Sequence, residues 1–375
     1  MTFKQILKNY ILNIPGWHTK RHIVVFESDD WGAIRMPSLN TLHVLQSFGD
    51  FASDSYGYNH NDTLASNEDL ELLMEVLSTV KDSKGNPAKM TFNCCVANPD
   101  FKRIKDSCFE EYFYEPFTET LKRYPNHERS FELWKEGIRH KVFQPQFHGR
   151  EHLNAKMWMH LLKTNVSNVR KAFDYEVFSM NVDSEIDPRN HVLHAYNVLY
   201  KEDYEFACCS VKEGLHLFEQ LFGFRSESMM APCYTWDKEI EKAALLEGVK
   251  IFQGGHIQKT SAYAKSQGKK SVRHYTGQKN EDGQLYMIRN CSFEPTQSTK
   301  YNADNCMKEI CMAFNMQKPA IISSHRLNYI GELNPTNRDN TLREFRGLLK
   351  MILKKYPDVE FMSSDELGNM ILNKH

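Results

Sequence analysis

Two adjacent carboxylates close the first apolar run of the chain. In HIVVFESDD (22–30), β-branched residues lead into Asp29 and Asp30, and such a run reads as a buried strand. Neighbouring carboxylates at a sheet edge repel, so a cation or a shared proton must relieve them; a helix cap or turn is the competing role for either Asp. His148 and His152, in FHGREHLN, are four residues apart. On a helical turn both imidazoles project from one face and can hold one metal ion. A chain with 16 histidines contains close pairs by chance, but this pair lies just past a strand. One carboxylate and two imidazoles suit Zn, Co, Ni or Fe. His325 ends the apolar run PAIISSH. It is either a satisfied core histidine or a proton donor tunable near neutrality.

The elements that must position these groups follow from periodicity. Strands are predicted at 22–30, 90–98, 141–148 (with Pro145 weakening it), 228–234, 248–255, 284–293, 319–325 and 359–364. Helical patterns lie between them: from Asn67, at 115–124 and 130–140, after Ala155, at 203–222, after Asp237, and at 302–316 and 338–355. Strands alternating with helices over one undivided chain predict an α/β fold with a mostly parallel sheet, open or closed into a barrel. Asp29, Asp30, His148, Pro232 to Tyr234 and His325 all fall at the C-terminal ends of predicted strands, the edge where such folds build active sites. The stretch 1–20 reads as an N-terminal helix, and about 165–222 as an irregular insertion that shapes the site, within a single domain spanning 1–375.

Composition removes several classes of function. The 375 residues carry 47 Lys+Arg against 48 Asp+Glu, 41% hydrophobic and 12% aromatic residues, which is the opposite of a disordered chain and gives no global basic field for nucleic acid. Nine cysteines, odd in number and without zinc-ribbon spacing, fit buried thiols in a reducing cytoplasm. No stretch approaches the ~18 apolar residues of a membrane span. Polar residues interrupt the N-terminal apolar run, which argues against a signal peptide. Phe3, Ile6, Leu7, Tyr10 and Ile11 nevertheless fall at helical spacing, a face expected to dock on its own domain, with peripheral membrane contact as the alternative.

Taken in chain order with Met230-Ala231-Pro232-Cys233, the three segments resemble the polysaccharide deacetylase family (NodB-like, carbohydrate esterase family 4), over roughly residues 20 to 330. The resemblance implies a distorted (β/α)7 barrel of the glycoside hydrolase/deacetylase type with an inserted helical segment. It also implies Asp29 as catalytic base, Asp30, His148 and His152 as metal ligands, and His325 as catalytic acid. The family's third motif, Arg-x-Pro-Tyr, lacks its Arg here and has Tyr234 one residue late; Arg35, Arg150 or Arg225 is expected to substitute. Its fourth motif, Asp-rich with Trp, has no visible counterpart.

The chemistry also follows from the residues. A divalent ion on Asp30, His148 and His152, with Zn2+ first and Co2+, Ni2+ or Fe2+ as alternatives, keeps positions for water and a carbonyl oxygen. Asp29 takes the water's proton, the backbone N–H of Cys233 supports the oxyanion, and His325 protonates the leaving amine from the opposite side. Cys233 as a nucleophile with His325 would leave the carboxylates and the histidine pair without a role. Trp31, Tyr234, Trp236, His256, Arg326 and Tyr329 are candidate substrate contacts, each with a packing role as the alternative. The expected activity is metal-dependent removal of an N-acetyl group from a sugar, with a nucleotide- or lipid-linked precursor favoured over a finished polymer because the chain reads as cytoplasmic. The other classes are a non-haem Fe(II) oxygenase and a carbohydrate-binding barrel that has lost catalysis.

Overall fold

The computed structural model describes residues 3–48, 57–179 and 192–373. Nine strands form the main sheet: β1 (Ile23–Trp31), β2 (Met90–Cys94), β3 (Phe143–Phe147), β4 (Ser228–Met230), β5 (Ile251–Gly254), β6 (Leu285–Ile288), β7 (Cys291–Ser292), β8 (Ala320–His325) and β9 (Glu360–Met362). The helices used below are α1 (Phe3–Leu12), α2 (Asn67–Ser78), α3 (Ser130–Arg139), α4 (Ala155–Lys163), α5 (Asp203–Phe222), α6 (Lys238–Leu246), α7 (Ala303–Asn315), α8 (Pro335–Lys355) and α9 (Ser364–Leu372).

β1 explains the layering. Its Ile-Val-Val-Phe start is wholly buried, with side chains alternating between two environments. Ile23 and Val25 join Ile251, Leu285, Met287 and Ile321 inside the sheet, floored by Leu367 and Ile371 of α9. Val24 and Phe26 face the surrounding helices, where Phe345 of α8 meets Phe26 edge-on at 5.1 Å. A strand apolar on both faces is what a parallel sheet covered by helices requires.

The strands run parallel in the order β6-β5-β4-β3-β2-β1-β8-β7, with β9 against the start of β1. The two ends of this order, β6 and β7, are consecutive in the chain. Between them the Arg289 amide bonds to Gly254 O of β5 (2.9 Å), while the Asn290 amide bonds to Ile321 O of β8 (3.0 Å). One segment thus serves both edges and shuts the sheet into a seven-position barrel, the distorted (β/α)7 architecture. The Asn290 side chain reinforces the seam, its Oδ1 accepting from Ile321 N and its Nδ2 donating to Pro319 O, each at 2.9 Å.

Several predicted strands are shorter than their sequence signals. The 228–234 run stops at Met230 and turns into a 3-10 helix at Pro232–Tyr234. The 90–98 run splits, and Ala97–Pro99 pairs antiparallel with Tyr114–Pro116. Pro145 stays inside β3, where the ladder to β4 is reduced to Phe147 opposite Met229; Gln146 Oε1 accepts from the Ser228 amide instead (2.8 Å). Within 165–222, α5 packs as a crossover helix so close to β3 that a Cβ on Gly214 would fall 2.7 Å from Phe147. Residues 180–191 of that stretch lie outside the described residues.

Candidate active site

The two acids of β1 face one cleft because the strand is irregular there. Successive strand residues ordinarily point to opposite faces, but the β1–β2 register shifts between Ser28 and Trp31, and Asp30 takes φ 73, a left-handed conformation that Asp tolerates better than most residues. Such a bulge re-aims side chains. The next residue, Trp31, is sent outward into the core. Its ring stacks on Phe92 at 3.7 Å and its Nε1 donates to Ser28 Oγ (2.9 Å), so it does not line the cleft.

Asp30 Oδ1 lies 3.4 Å from both His148 Nε2 and His152 Nε2, and one ligating atom from each of the three residues falls within 4.8 Å of the others. His148 Nδ1 donates to Met230 O (2.8 Å), which turns Nε2 towards Asp30. Both Asp30 Oδ1 and His148 Nε2 are buried without a hydrogen-bond partner. Burial, with the nearby His148 and Arg35, outweighs Asp30 and pushes the His152 imidazole down to about 3, so it is neutral. Burial also works to raise Asp30, yet His152, His148 and Arg35 hold it well below the usual carboxylate range. A carboxylate and two imidazoles buried around one point, with Asp30 Oδ1 and His148 Nε2 lacking a hydrogen-bond partner, fit a divalent cation. The histidines sit in a loop rather than on a helical turn, with Gly149 at φ 104 allowing the sharp reversal. All three residues are buried, so the site is an interior feature and not a surface one.

Asp29 and His325 lie on adjacent strands at the same register position, with His325 Nε2 3.8 Å from Asp29 Oδ2. A donor across the cleft from the base is therefore not what the barrel provides. The arginine on Asp29 is Arg289, from the β6–β7 seam: its NH1 donates to Oδ2 (2.7 Å) and its NH2 to Oδ1 (2.6 Å), while Nε holds Glu27 (2.6 Å). Arg35 instead lies on Asp62 and 3.8 Å from Asp30, Arg150 on Glu151 and Glu213, and Arg225 on Glu219 at the surface. None of the three expected substitutes reaches Asp29. Burial would raise the Asp29 carboxyl, but the Arg289 pair overrides it and holds it at about 2. Glu294, which follows β7, meets His325 Nδ1 at 2.5 Å. Burial lowers the His325 pKa, but Glu294 and then Asp29 outweigh it and lift it to about 9, so the imidazole is protonated at neutral pH. Glu294 is itself fixed by Asn328 Nδ2 (2.7 Å).

Below this cleft the barrel interior is a connected polar layer. Asn93 of β2 donates to Asp29 Oδ1 (2.7 Å) and to Gln253 of β5 (2.9 Å); Gln253 donates to Ser228 of β4 (2.8 Å), and Ser228 to Gln146 of β3 (2.7 Å). Buried polar groups tied together in this way rigidify what they support.

The remaining expected residues divide. Tyr234 reaches the cleft, its hydroxyl 3.2 Å from Arg289 NH1, and Cys233 and Tyr234 adopt left-handed φ of 55 and 58 in the turn after β4. Burial pushes the Cys233 thiol up to about 12, far from a thiolate nucleophile. Trp236 stacks on Phe252 and donates to Glu241 (2.9 Å), and Tyr329 packs against Phe345 with its hydroxyl 2.8 Å from Ser324 Oγ. Arg326 is buried, with Nε on Asp62 (2.7 Å). His256 lines a small cavity with Leu12, Pro15 and Tyr275 instead of the cleft.

No protein-family model matches the chain, and no curated protein matches it. Among solved structures it is similar to one described as a glycoside hydrolase/deacetylase from Parabacteroides distasonis, at 9% identity and TM-score 0.51, covering 96% of this chain and 73% of that one. The fold is the glycoside hydrolase/deacetylase type. A polysaccharide deacetylase from Pseudomonas aeruginosa is also similar, at 9% identity and TM-score 0.46 over 95% of this chain and 93% of that one. The 4-alpha-glucanotransferase from Thermococcus litoralis is similar at 10% identity and TM-score 0.47; the match covers 95% of this chain but 40% of that enzyme's length. On the deacetylase-type barrel, the seam arginine and Glu294 are the groups that sequence reading missed. Arg289 directly follows the four-residue apolar strand β6, and Glu294 stands two residues past β7.

Proposed function

We infer that this chain is a metal-dependent hydrolase that removes an N-acetyl group from an amino sugar. The observation that carries the reading is the juxtaposition of the buried Asp30/His148/His152 cluster with an ionised carboxylate and a protonated imidazole, each held by its own counter-ion. A divalent cation on that cluster, Zn2+ being the first choice, would supply a more acidic water and polarise the acyl carbonyl.

The chain's own residues handle the protons. Asp29 Oδ1 is occupied by Asn93 and Arg289, whereas Oδ2 accepts from Arg289 alone. Oδ2 therefore has the lone pair free to receive a proton. His325 commits Nδ1 to Glu294 and presents its Nε2 proton beside that oxygen, in position to protonate an amine that would otherwise leave poorly. With the two groups 3.8 Å apart, the proton gained by one and lost by the other can be balanced locally after turnover. The left-handed turn at Cys233 and Tyr234 supports a backbone donor for the oxyanion, since strained backbone at a cleft is typically held there by function.

A bare carboxylate and two histidines would equally suit an Fe(II) oxygenase, but that chemistry gives no role to the His325–Glu294 pair. Binding without catalysis drew its support from the missing arginine, and Arg289 now fills that need. We take the substrate to be a nucleotide- or lipid-linked N-acetyl sugar, acted on in the cytoplasm. The test is acetate release from N-acetylated amino sugars by the purified chain with EDTA and after readdition of Zn2+, Co2+ or Fe2+. Metal-restored acetate release lost in Asp29→Asn supports the reading. Metal-dependent oxygen consumption without acetate release overturns it.

A further inference from the structure

Two stretches of the chain carry cations without a single acid. Residues 1–22 contain Lys4, Lys8, Lys20 and Arg21, and residues 248–280 contain Lys250, Lys259, Lys265, Lys269, Lys270, Arg273 and Lys279, in a protein whose formal net charge is -1. The fold puts these stretches against each other. The Trp17 amide bonds to Thr276 O (2.7 Å), Leu12 and Pro15 share a cavity wall with His256 and Tyr275, and Lys8 and Arg273 both act electrostatically on His256.

The same two stretches expose large apolar side chains. α1 is docked through its other side: Asn9 donates to Glu309 of α7 (3.3 Å) and Asn13 is buried, accepting from Asn290 at the barrel seam (2.9 Å). That leaves Leu7 and Ile11, one helical turn apart, and Ile14 just past the helix end, 50%, 53% and 59% exposed. Across the contact, the small hairpin formed by Ile257–Gln258 and Val272–Arg273 exposes Ile257, Val272 and Tyr275. Together these are six of the eleven large apolar residues exposed among the described residues. Soluble surfaces seldom gather apolar residues in this way without an occupant.

We propose that α1 and the 257–273 hairpin form a docking face for an anionic phospholipid bilayer. The apolar side chains enter the headgroup boundary, and the exposed Lys8, Lys259, Lys269, Lys270 and Arg273 meet the lipid phosphates. Both halves of that description are needed for interfacial binding: buried apolar area and attraction to anionic lipid. A peptide or protein partner would use the apolar stripe but gives no reason for the exposed cations Lys8, Lys259, Lys269, Lys270 and Arg273 beside it, whereas Arg21 and Lys250 are already paired with Glu360 and Glu227. This inference is independent of the hydrolase reading, since none of its residues belongs to the cleft.

The test is cosedimentation of the full chain with vesicles of phosphatidylcholine alone or mixed with phosphatidylglycerol. Binding to the mixed vesicles only, weakening at least ~10-fold between low and high salt, is expected. Leu7→Glu/Ile11→Glu and, separately, Lys269→Glu/Lys270→Glu should each reduce binding by ~10-fold or more, with unchanged circular dichroism and unchanged acetate release from a soluble substrate. Equal binding by wild type and both variants overturns the proposal. So does a concentration-dependent dimer, seen by analytical ultracentrifugation and abolished by Leu7→Glu/Ile11→Glu, because a second copy would then be what covers the stripe.

Discussion

The replacement of Glu294 by Gln isolates one charge. The amide keeps the size of the carboxylate and its contact with Asn328, but removes the negative charge from His325 Nδ1. His325 stands at about 9 against an ordinary 6.5, burial working downward and Glu294 being the first of the groups that lift it. A complete return to the ordinary value would correspond to roughly 3 kcal/mol of interaction. Since Asp29 and Asp30 continue to favour the imidazolium, a fall of about one to two units is expected. Histidine ring NMR, with the His325 resonance assigned by its loss in His325→Ala, reads this directly in EDTA without any substrate. Stability provides an independent readout. A group raised in the folded state contributes in full below its unfolded value and loses that contribution as pH rises through its folded value. Glu294→Gln should therefore be less stable than wild type at pH 6, with the gap closing above about pH 9. A variant whose His325 titrates with the wild type would show that the pair does not set this imidazole, and the protonated-acid role would lose its basis.

Asp29→Asn should retain bound metal, measured by elemental analysis, and lose turnover by at least ~10²; loss of metal instead would exchange the roles of Asp29 and Asp30. His148→Ala and His152→Ala should each abolish bound divalent metal. Because the cluster is buried, chelation of the wild type should also lower its stability, by about 2.7 kcal/mol from a state with metal at a hundredfold over Kd, and unchanged thermal unfolding in EDTA would contradict this. Arg289→Ala strands Glu27 and Asp29 in the barrel interior and should cost about 3–5 kcal/mol in urea unfolding. A loss below about 1 kcal/mol would mean that water replaces the guanidinium.

The sequence displayed the groups that end long apolar strands and concealed those that depend on barrel closure. Asp29, Asp30 and His325 terminate strands of nine and six residues, where periodicity is easy to follow. Arg289 and Glu294 follow strands of four and two residues, too short for periodicity to register as separate elements, and they looked like ordinary charges inside and just after one strand at 284–293. The aromatic residues beside the motifs misled for a local reason. Adjacency in sequence says little about facing, and the bulge at Asp30 turned Trp31 into the core while the 3-10 turn at Pro232–Tyr234 brought Tyr234 inward and left Trp236 behind. The HxxxH spacing was informative even though its helical rationale was not, because a glycine-hinged loop can bring the same two imidazoles together.

The split strand at the seam has a consequence for how the molecule comes into being. Leu285 pairs with Ile251 and Cys291 with Ile322, both contacts between neighbouring parts of the chain that need little loop closure. The bonds from Arg289 to Glu27 and Asp29, in contrast, span 262 and 260 residues, and the β1–β8 pairing beside them is longer still. Non-local pairing of this kind forms late in folding. On the ribosome Asp29 is among the first residues made, yet its guanidinium is added only after about three quarters of the chain. A nascent or truncated barrel therefore holds an unclamped Asp29 carboxylate until the segment after β6 closes the seam.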